Sequence, residues 1–519
     1  MSNTVSSEFG TVRSFFWPIH NYELKKLLPM LLIFFCILFN YTVLRDTKDT
    51  LVVTAAGGSE VLPFLKTFCV VPAAIIFMLI YAKLSNLLSK EALFYAAIVP
   101  FLAFFALFAW VFYPLRDLLH PVASADYLTS ILPKGFHGIV AIYKTWTYSL
   151  FFILAELWGS AVLSLMFWGF ANEIMKTSEA KRVYTLISSL GNVSLIFSGQ
   201  AVKHLSNIRE TLPPEVDAWQ VSLNYLMGLV VFFGLVIIAV YWWMQRNVLT
   251  DPRFYDPTQQ VKSKKSKTKM SLKESFLFLA RSPYIRCICL LVIGYGMAIN
   301  LVEVTWKGQI QKVNPNPNDY NAFMGDFSTF TGIVGMCMGF VGGYIIRTYG
   351  WGVAAVLTPL MLLLTGSAFF GFVIFRDTAF MTAIIANPTT AAVMIGMVQN
   401  IASKTTKYAL FDPTKEMAYI PLDQESKVKG KAAIDVVGAR LGKSGGAVLQ
   451  SILILVFGSV AAITPIVAVL LVLVIGSWIY AVGALNRRYK ALTETDAGDA
   501  QAGEATSSFA QGKKAPATT

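Results

Sequence analysis

Long apolar runs alternate with short polar segments along most of the chain, and this pattern predicts the fold. Twelve runs are long enough to cross a bilayer as helices, which takes about 20 apolar residues. The predicted spans are residues 27–46, 61–83, 91–113, 146–174, 184–204, 221–244, 284–306, 323–346, 352–375, 378–401, 434–458 and 462–485. The runs are continuous and do not alternate between apolar and polar residues, so they predict helices and not a β-barrel. The sequence therefore predicts an all-α integral membrane protein.

The polar segments divide the chain into five predicted parts. These are an N-terminal segment (1–26), a six-helix bundle (27–245), a basic linker (246–283), a second six-helix bundle (284–486) and a tail (487–519). The tail is rich in alanine, glycine, serine and threonine, and this composition is typical of disorder.

The two predicted bundles resemble each other weakly. Asn40 and Asn300 occupy similar places in the first and seventh runs, and residues 190–192 in the fifth run match residues 441–443 in the eleventh. Two parallel six-helix halves with a long cytoplasmic linker are the architecture of major facilitator transporters. In that architecture the substrate lies at the interface between the halves, and the sequence predicts the same arrangement here.

Composition supports a membrane protein, and the distribution of charge predicts its orientation. Only 14% of the 519 residues are charged and mean hydropathy is +0.58, whereas soluble domains carry about 25% charged residues. The net charge of +13 comes from cations concentrated in every second loop. Both termini and the central linker are therefore predicted to be cytoplasmic. The lysine run at 261–273 is interpreted as a solvated linker, and no nucleic-acid partner is expected.

The sequence has no pattern typical of a metal site, a disulfide framework or a catalytic centre. The five cysteines lie in apolar runs, and the four histidines have no metal-ligand neighbour at useful spacing. Residues 442–444 resemble the end of a phosphate-binding P-loop, but the spacing from Gly438 is one residue short and no strand precedes it. We therefore expect no cofactor and no metal, and we predict a secondary transporter rather than an enzyme.

Four charged residues lie within or at the edge of apolar runs. They are Lys66, Glu156, Glu303 and Lys443. A charge at the bilayer centre costs about 2.5–3.5 kcal/mol, so such residues usually mark a functional site. The structural alternatives are a lysine that snorkels to a helix end for Lys66 and a satisfied buried carboxylate for Glu156. For Glu303 the alternative is an i,i+4 pair with Lys307. We predict that the four surround one water-filled cavity, which argues against a receptor or scaffold.

Further residues flank these four and are secondary candidates for contact with an anionic substrate. They are Arg45, Lys48, Trp168, Asn172, Glu173, Asn300, Lys307 and Arg440. Arg440 and Lys443 share a helix face, and Asp435 is placed to balance one of them. Lysine, serine and glycine-exposed backbone at 442–446 suit an anion. Glu173 is alternatively a charge at the edge of a loop.

Several long motifs occur in order along the chain. They are NYELKK (21–26), LRDTKD (44–49), PFLKT (63–67), AELWGS (155–160), FWGFAN (167–172), FDPTKEMAYIPLD (411–423), KGKAAID (429–435) and GKSGG (442–446). Together they resemble the ATP/ADP translocase (nucleotide transporter) family of obligate intracellular bacteria and plastids. The resemblance extends from about residue 18 to residue 490.

This resemblance implies a twelve-span carrier that exchanges ATP for ADP, with inorganic phosphate as a further partner. It implies that two lysines and two glutamates carry transport, which by motif are Lys66, Glu156 and Lys443, and by a softer match Glu303. It also implies a multi-pass protein of a bacterial inner membrane that imports host ATP, with a plastid envelope as the alternative location. A carrier of this architecture is expected to be a monomer. The alternative function is a broader nucleotide–proton symporter.

The implied mechanism is a clamp between the halves. Lys66 and Lys443 hold the phosphates, with Arg440 or Lys48 assisting, through charge-assisted hydrogen bonds. The two glutamates pair with the lysines when the cavity is empty, which suppresses empty return. An aromatic face holds the adenine, and the candidates are Tyr41, Trp168 and Phe170.

Overall fold

The computed structural model describes residues 19–175, 177–251, 254, 274, 281–434 and 438–511. Some side chains inside these ranges lie outside the description, including those of Arg440, Lys443 and residues 493–511. The predicted N-terminal segment and basic linker, with the lysine run, lie largely outside the described residues, as does Asp435.

The N-terminal half contains six long helices. They are α1 (Leu24–Val53), α2 (Gly58–Leu87), α3 (Lys90–Phe112), α4 (Trp146–Ile174), α5 (Thr177–Ser206) and α6 (Ala218–Asn247). Single stretches of π-helix interrupt α2, α3 and α4, at Leu65–Val70, Phe108–Phe112 and Gly159–Phe167. Short helices connect α3 to α4, at Arg116–Leu119, Val122–Ile131, Lys134–Phe136 and His137–Lys144.

The C-terminal half repeats this plan. It begins with α7 (Pro283–Val313), followed by one stretch, Pro317–Phe375, that bends at Gly350. Gly350 has φ 78°, a left-handed conformation that favours glycine, and it divides the stretch into α8 (317–349) and α9 (351–375). The half continues with α10 (Pro388–Thr406), α11 (Ala439–Phe457) and α12 (Val460–Gln511). Shorter segments lie at Ala379–Ile384, Lys407–Phe411, Asp412–Met417 and Gln424–Ala433.

Each of the twelve helices overlaps one predicted span, and the predicted all-α membrane fold is confirmed. In the described part of the chain, eight helical stretches are long and apolar enough to cross a membrane, with α8 and α9 counted as one stretch. Helices α5, α10 and α11 fall outside this set because they are shorter or carry more polar residues, such as Asn400 and Lys404. The number of twelve spans stays a prediction.

Helices α10 and α12 differ from the predicted boundaries, and α1 continues past its predicted end to Val53. The predicted span 378–401 is broken before Pro388, where α10 begins, because proline is favoured at the first turn of a helix. Helix α12 continues to Gln511, through a segment predicted to be disordered, since its alanines and glutamates have high helix propensity.

Each half has its own apolar core. Phe105 and Trp158 are fully buried in the N-terminal core, and Trp306 and Trp478 are buried in the C-terminal core. The halves meet at the side where α1 ends and α2 begins, which is the outer side in the predicted orientation. There Val53, Phe64 and other residues of α1 and α2 pack against the C-terminal core.

Glycines bring the halves into backbone contact. A Cβ atom placed on Gly325 of α8 would lie 2.6 Å from the carbonyl oxygen of Gly199 in α5, and one on Gly332 would lie 2.6 Å from that of Asn192. These distances leave no room for a side chain, so α5 and α8 are held together along a seam of glycines.

Candidate functional site

The last turns of α1 carry buried charges that reach into the other half. Asp49 accepts hydrogen bonds from Lys48 at 2.9 Å and from Lys307 of α7 at 2.7 Å, and both Asp49 and Lys307 are 2% exposed. Burying charges is costly unless they are paired, and a carboxylate held by two lysines meets this requirement. The Asp49–Lys307 pair therefore connects the two halves deep in the interface.

A second connection between the halves lies one turn earlier on α7. Glu303 accepts from Lys307 at 2.8 Å, as the i,i+4 spacing predicts, and from Lys66 of α2 at 2.8 Å. Lys66 also donates to the side-chain oxygen of Asn300 at 3.2 Å. Lys66 lies in the π-helical stretch of α2, a local distortion often found at functional sites.

The network ends on α4. Lys48 lies 3.3 Å from Glu156 and its ammonium is 3.9 Å from the centre of the Phe152 ring. Six side chains of alternating charge therefore form one continuous series, which we call the ion-pair chain. Its members, in order, are Glu156, Lys48, Asp49, Lys307, Glu303 and Lys66.

The ion-pair chain is sealed in the middle and accessible at its ends. The side chains of Lys48, Asp49 and Lys307 are at most 4% exposed, whereas Glu156 is 31% and Glu303 26% exposed. Glu156 at one end, and Glu303 with Lys66 (17% exposed) at the other, are therefore the accessible members of the chain. The buried middle connects the two halves through the Asp49–Lys307 pair.

A second polar cluster joins α1 to α8 beside the ion-pair chain. Arg45 pairs with Asp46 at 3.1 Å and donates to Ser328 at 2.8 Å, and Ser328 donates to Asp46 at 2.6 Å. One turn further, Thr50 donates to Asn321 at 2.9 Å. Asp46 is fully buried, so this cluster is a further satisfied contact between the halves.

Glycines of α11 bring the predicted Lys443 segment close to Asn300. A Cβ atom on Gly296 of α7 would lie 2.6 Å from the backbone of Gly442, and one on Gly446 would lie 3.0 Å from the Cβ of Asn300. The backbone at residue 443 therefore packs next to the turn of α7 that binds Lys66. The side chains of Lys443 and Arg440 lie outside the described part of the structure.

Other predicted residues lie elsewhere. Trp168 packs in the N-terminal core, with its ring centre 6.1 Å from that of Phe34. Glu173 pairs with Lys90 at 2.5 Å, which fits the alternative that Glu173 is a charge at the edge of a loop. The neighbouring Asn172 is exposed at the end of α4. None of these three predicted residues belongs to the ion-pair chain.

Of the aromatic candidates, Tyr41 is the one beside the charged groups. It interacts electrostatically with Glu156, Arg45 and Glu303, and a Cβ atom on Gly159 would lie 2.7 Å from its ring. Phe170 is buried, with its ring centre 5.0 Å from that of Tyr241.

Three charged members of this region were not candidates from the sequence. Asp46 and Asp49 directly follow the predicted candidates Arg45 and Lys48 in the chain, and this alternation of basic and acidic residues was an available signal. No sequence signal distinguishes Lys404, because its position resembles that of the many lysines in the predicted cytoplasmic loops. Among the described residues, no group of side chains is arranged to hold a metal ion.

Comparison with known proteins identifies the family. The TLC ATP/ADP transporter family matches residues 2–489. The chain belongs to this family. The resemblance inferred from the motifs is therefore confirmed, and the fold described above is that of a TLC-family member.

Relatives with known names span bacteria and plastids. The chain is 58% identical to ADP,ATP carrier protein 1 of Chlamydia pneumoniae, over 95% of this chain and 96% of the relative. It is 52% identical to ADP,ATP carrier protein 1, chloroplastic, of Arabidopsis thaliana, over 90% of this chain and 74% of the relative. It is 43% identical to ADP,ATP carrier protein 1 of Rickettsia prowazekii, over 95% of this chain and 99% of the relative.

Solved structures support the fold. A D-xylose-proton symporter aligns with a TM-score of 0.55 and 12% identity, over 90% of this chain and 97% of its own. A bacterial homologue of the iron transporter ferroportin, in an inward-facing state, aligns with a TM-score of 0.52 and 13% identity, over 88% of this chain and 99% of its own. The fold is therefore that of the major facilitator transporters.

Proposed function

We propose that the protein is a membrane carrier that exchanges ATP for ADP by alternating access between its halves. The observation that carries this proposal is the ion-pair chain, in which charged side chains of both halves meet and the end groups are accessible. Its relatives are named ADP,ATP carrier proteins, which supports these nucleotides as substrates. The protein spans a membrane, and we propose a bacterial inner membrane with both termini cytoplasmic, a monomeric carrier and net import of host ATP.

Lys66 is the phosphate-binding group of the N-terminal half in this proposal. Without nucleotide it donates to Glu303, and a phosphate oxygen can take the place of that carboxylate through an equally charge-assisted hydrogen bond. Glu303 is not left unpaired, because it keeps Lys307. Lys443 is the proposed counterpart in the C-terminal half, on the strength of its motif and of the close packing of α11 on α7.

The same pairs explain why exchange is favoured over empty return. The outer ends of the halves separate only when the Lys66–Glu303 and Asp49–Lys307 pairs break. Breaking a buried pair without a replacement costs about 3–5 kcal/mol. A bound phosphate replaces Glu303 at Lys66, while Asp49 keeps Lys48 and Lys307 keeps Glu303, so the loaded carrier reorients much faster than the empty one.

Tyr41 is the proposed adenine-binding residue. An aromatic ring offers a flat apolar face to a base, and this ring lies beside Glu156, one of the accessible ends of the ion-pair chain. The nucleotide would then lie with its base against α1 and α4 and its phosphates toward α2 and α7.

Uptake of labelled ATP into proteoliposomes tests the proposal. The vesicles are preloaded with ADP, with ADP and phosphate, or with nothing. Uptake that requires internal nucleotide is expected of an exchanger. Uptake into empty vesicles driven by an acidic exterior would contradict it and would make Glu156 or Glu303 a proton carrier.

A further inference from the structure

Lys404 differs from the other cations at the interface between the halves. It lies in α10, half-buried, with its ammonium 4.4 Å from the centre of the Phe327 ring. Arg45, Lys48, Lys66 and Lys307 each lie within 4.0 Å of a carboxylate. Within the described residues, Lys404 makes no ion pair. Its contact with the protein is a cation–π contact, which leaves the N–H groups available.

The carboxylates near Lys404 are already engaged. The charged groups that act on it are Arg45, Glu303, Lys307 and Asp46. Glu303 is held by two lysines and Asp46 by Arg45 and Ser328. Neither carboxylate therefore neutralises Lys404 without giving up another partner.

The described side chains of this region carry one excess positive charge. Five cations lie there: Arg45, Lys48, Lys66, Lys307 and Lys404. Four carboxylates face them: Asp46, Asp49, Glu156 and Glu303. Five minus four leaves a net charge of +1, and the cation without an ion pair is Lys404. An uncompensated charge in a partly buried interface is costly, so this position favours a mobile anion.

Arg45 provides a second donor beside Lys404. It donates to Ser328 of α8, the residue next to Phe327, over whose ring the Lys404 ammonium lies. Its Nε and one Nη bind Asp46 and Ser328, and the other Nη makes no hydrogen bond within the described residues. A guanidinium edge together with an ammonium group matches the oxygens of a tetrahedral phosphate.

We propose that Lys404, together with Arg45, forms a second phosphate-binding subsite, distinct from Lys66. The phosphate is either the terminal group of the nucleotide or an inorganic phosphate that moves with ADP. This inference rests on the proposed function, because it adds a subsite to the same substrate path. Lys404 contacts the phosphate directly, and Arg45 shares it while remaining tied to Asp46.

The variant Lys404→Gln, compared with Lys404→Arg and Lys407→Gln, tests the subsite. Lys407 lies one turn further along the chain and is neutralised by Asp412 at 2.7 Å, so it controls for the loss of a lysine in the same region. Purified proteins are titrated with ATP, ADP, AMP and inorganic phosphate, and ligand-induced thermal stabilisation is measured. Reconstituted proteins are assayed for ATP/ADP exchange and for uptake of labelled phosphate with ADP.

The two sources of phosphate give different results. If the subsite takes the terminal phosphate, Lys404→Gln weakens ATP binding by about tenfold or more and AMP binding far less. If it takes inorganic phosphate, phosphate uptake is lost while ATP/ADP exchange without phosphate is kept. Lys404→Arg retains most function, and Lys407→Gln binds as the original protein does.

Stability without ligand separates a binding role from a structural one. Removing an unneutralised charge should leave the midpoint of thermal unfolding of Lys404→Gln unchanged or raised. A lowered midpoint with unchanged binding and uptake would overturn the subsite and leave Lys404 as a packing residue. If the original protein moved no nucleotide, the proposed function would fail, and stabilisation by inorganic phosphate lost in Lys404→Gln would still support the subsite.

Discussion

Glu303 forms ion pairs with one lysine from each half of the protein. Its two oxygens bind Lys307 of its own helix and Lys66 of the other half, and a quarter of its side chain is accessible. Because one of its partners can be replaced by phosphate while the other stays, Glu303 can release Lys66 without becoming an isolated charge. It therefore couples substrate binding to the contact between the halves.

The variant Glu303→Gln should lose most exchange activity. The amide cannot neutralise Lys66, so the contact between α2 and α7 is weakened and the carrier returns less readily to the state in which its outer ends are closed. We expect the exchange rate to fall by about tenfold or more, as for removal of a charged hydrogen-bond partner. Exchange is measured with labelled ATP in proteoliposomes.

Glu173→Gln is the matched control for this variant. Glu173 also forms an ion pair with a lysine, but Lys90 is largely exposed, and surface pairs contribute little to stability. Its exchange rate should stay close to that of the original protein. Equal exchange rates for Glu303→Gln and Glu173→Gln would show that Glu303 has no specific role in transport.

The sequence predicted part of this site at the level of residues. Apolar surroundings identified Lys66, Glu156 and Glu303, and helical spacing identified Lys307 as a partner of Glu303. The contact of Lys307 with Asp49 could not be predicted, because these residues are far apart in the chain and no local rule joins them. The position of Lys404 at the interface could not be predicted either. Its neighbours in sequence are typical of a cytoplasmic helix end, so nothing local distinguishes it from the loop lysines.

Among the helices, α5 and α8 form the closest contact between the halves. Glycines at positions 199, 325 and 332 let the two backbones approach, and small residues commonly allow such approach in membranes. The seam lies beside the polar cluster of Arg45, Asp46 and Ser328. A displacement of α8 away from α5 would also move Ser328, which contacts Arg45 and Asp46 of α1.

The variant Gly325→Ala should weaken the contact between α5 and α8. The new methyl group would lie 2.6 Å from the carbonyl oxygen of Gly199, so the helices must move apart. Overpacking of this kind costs about 1–3 kcal/mol, which predicts a lower midpoint of thermal unfolding and slower exchange.

Gly339→Ala on the same helix is the control, because a Cβ atom there meets nothing within 4 Å. Alanine in an open helical position is slightly stabilising. A drop in the midpoint as large as that of Gly325→Ala would show that the seam is not the cause.

Helix α1 shows how hydropathy alone misplaces an element. The apolar run predicts a span that ends at residue 46, yet the helix continues to Val53. The last turns are polar but buried, because Asp49 and Thr50 find partners on α7 and α8. A sequence pattern records the composition of a helix and not the partners that make a polar turn stable inside the protein.

At the scale of the whole molecule, the sequence predicted the helical, major-facilitator-like fold, because long apolar runs are a property of the chain itself, whereas the orientation inferred from loop charges stays a prediction. The way the halves meet depends on distant pairs such as Asp49 with Lys307. ATP carries about one more negative charge than ADP, and in the proposed exchange this charge crosses the membrane.

Exchange of ATP for ADP should therefore respond to membrane potential. One net charge at 100 mV corresponds to about 2.3 kcal/mol, so the ratio of forward to reverse exchange should change by up to about fifty-fold. Phosphate moving with ADP would offset most of this. The measurement is exchange in proteoliposomes clamped at different potassium diffusion potentials, with and without phosphate. A ratio that ignores the potential in the absence of phosphate would contradict a strict ATP/ADP exchange.

A disulfide between the halves offers the most direct test of alternating access through this interface. A Cβ atom on Gly308 of α7 would lie 3.5 Å from the Cβ of Ser59 at the start of α2, which fits a disulfide. The variant Ser59→Cys/Gly308→Cys is made in a protein whose five native cysteines are replaced, with each single variant as a control.

Oxidation should form the cross-link and stop exchange of labelled ATP, and a reductant should restore it, because the outer ends of α2 and α7 must separate in every cycle. The single variants should exchange at the same rate in both conditions. Exchange that continues at full rate in quantitatively cross-linked protein would contradict opening at the ion-pair chain.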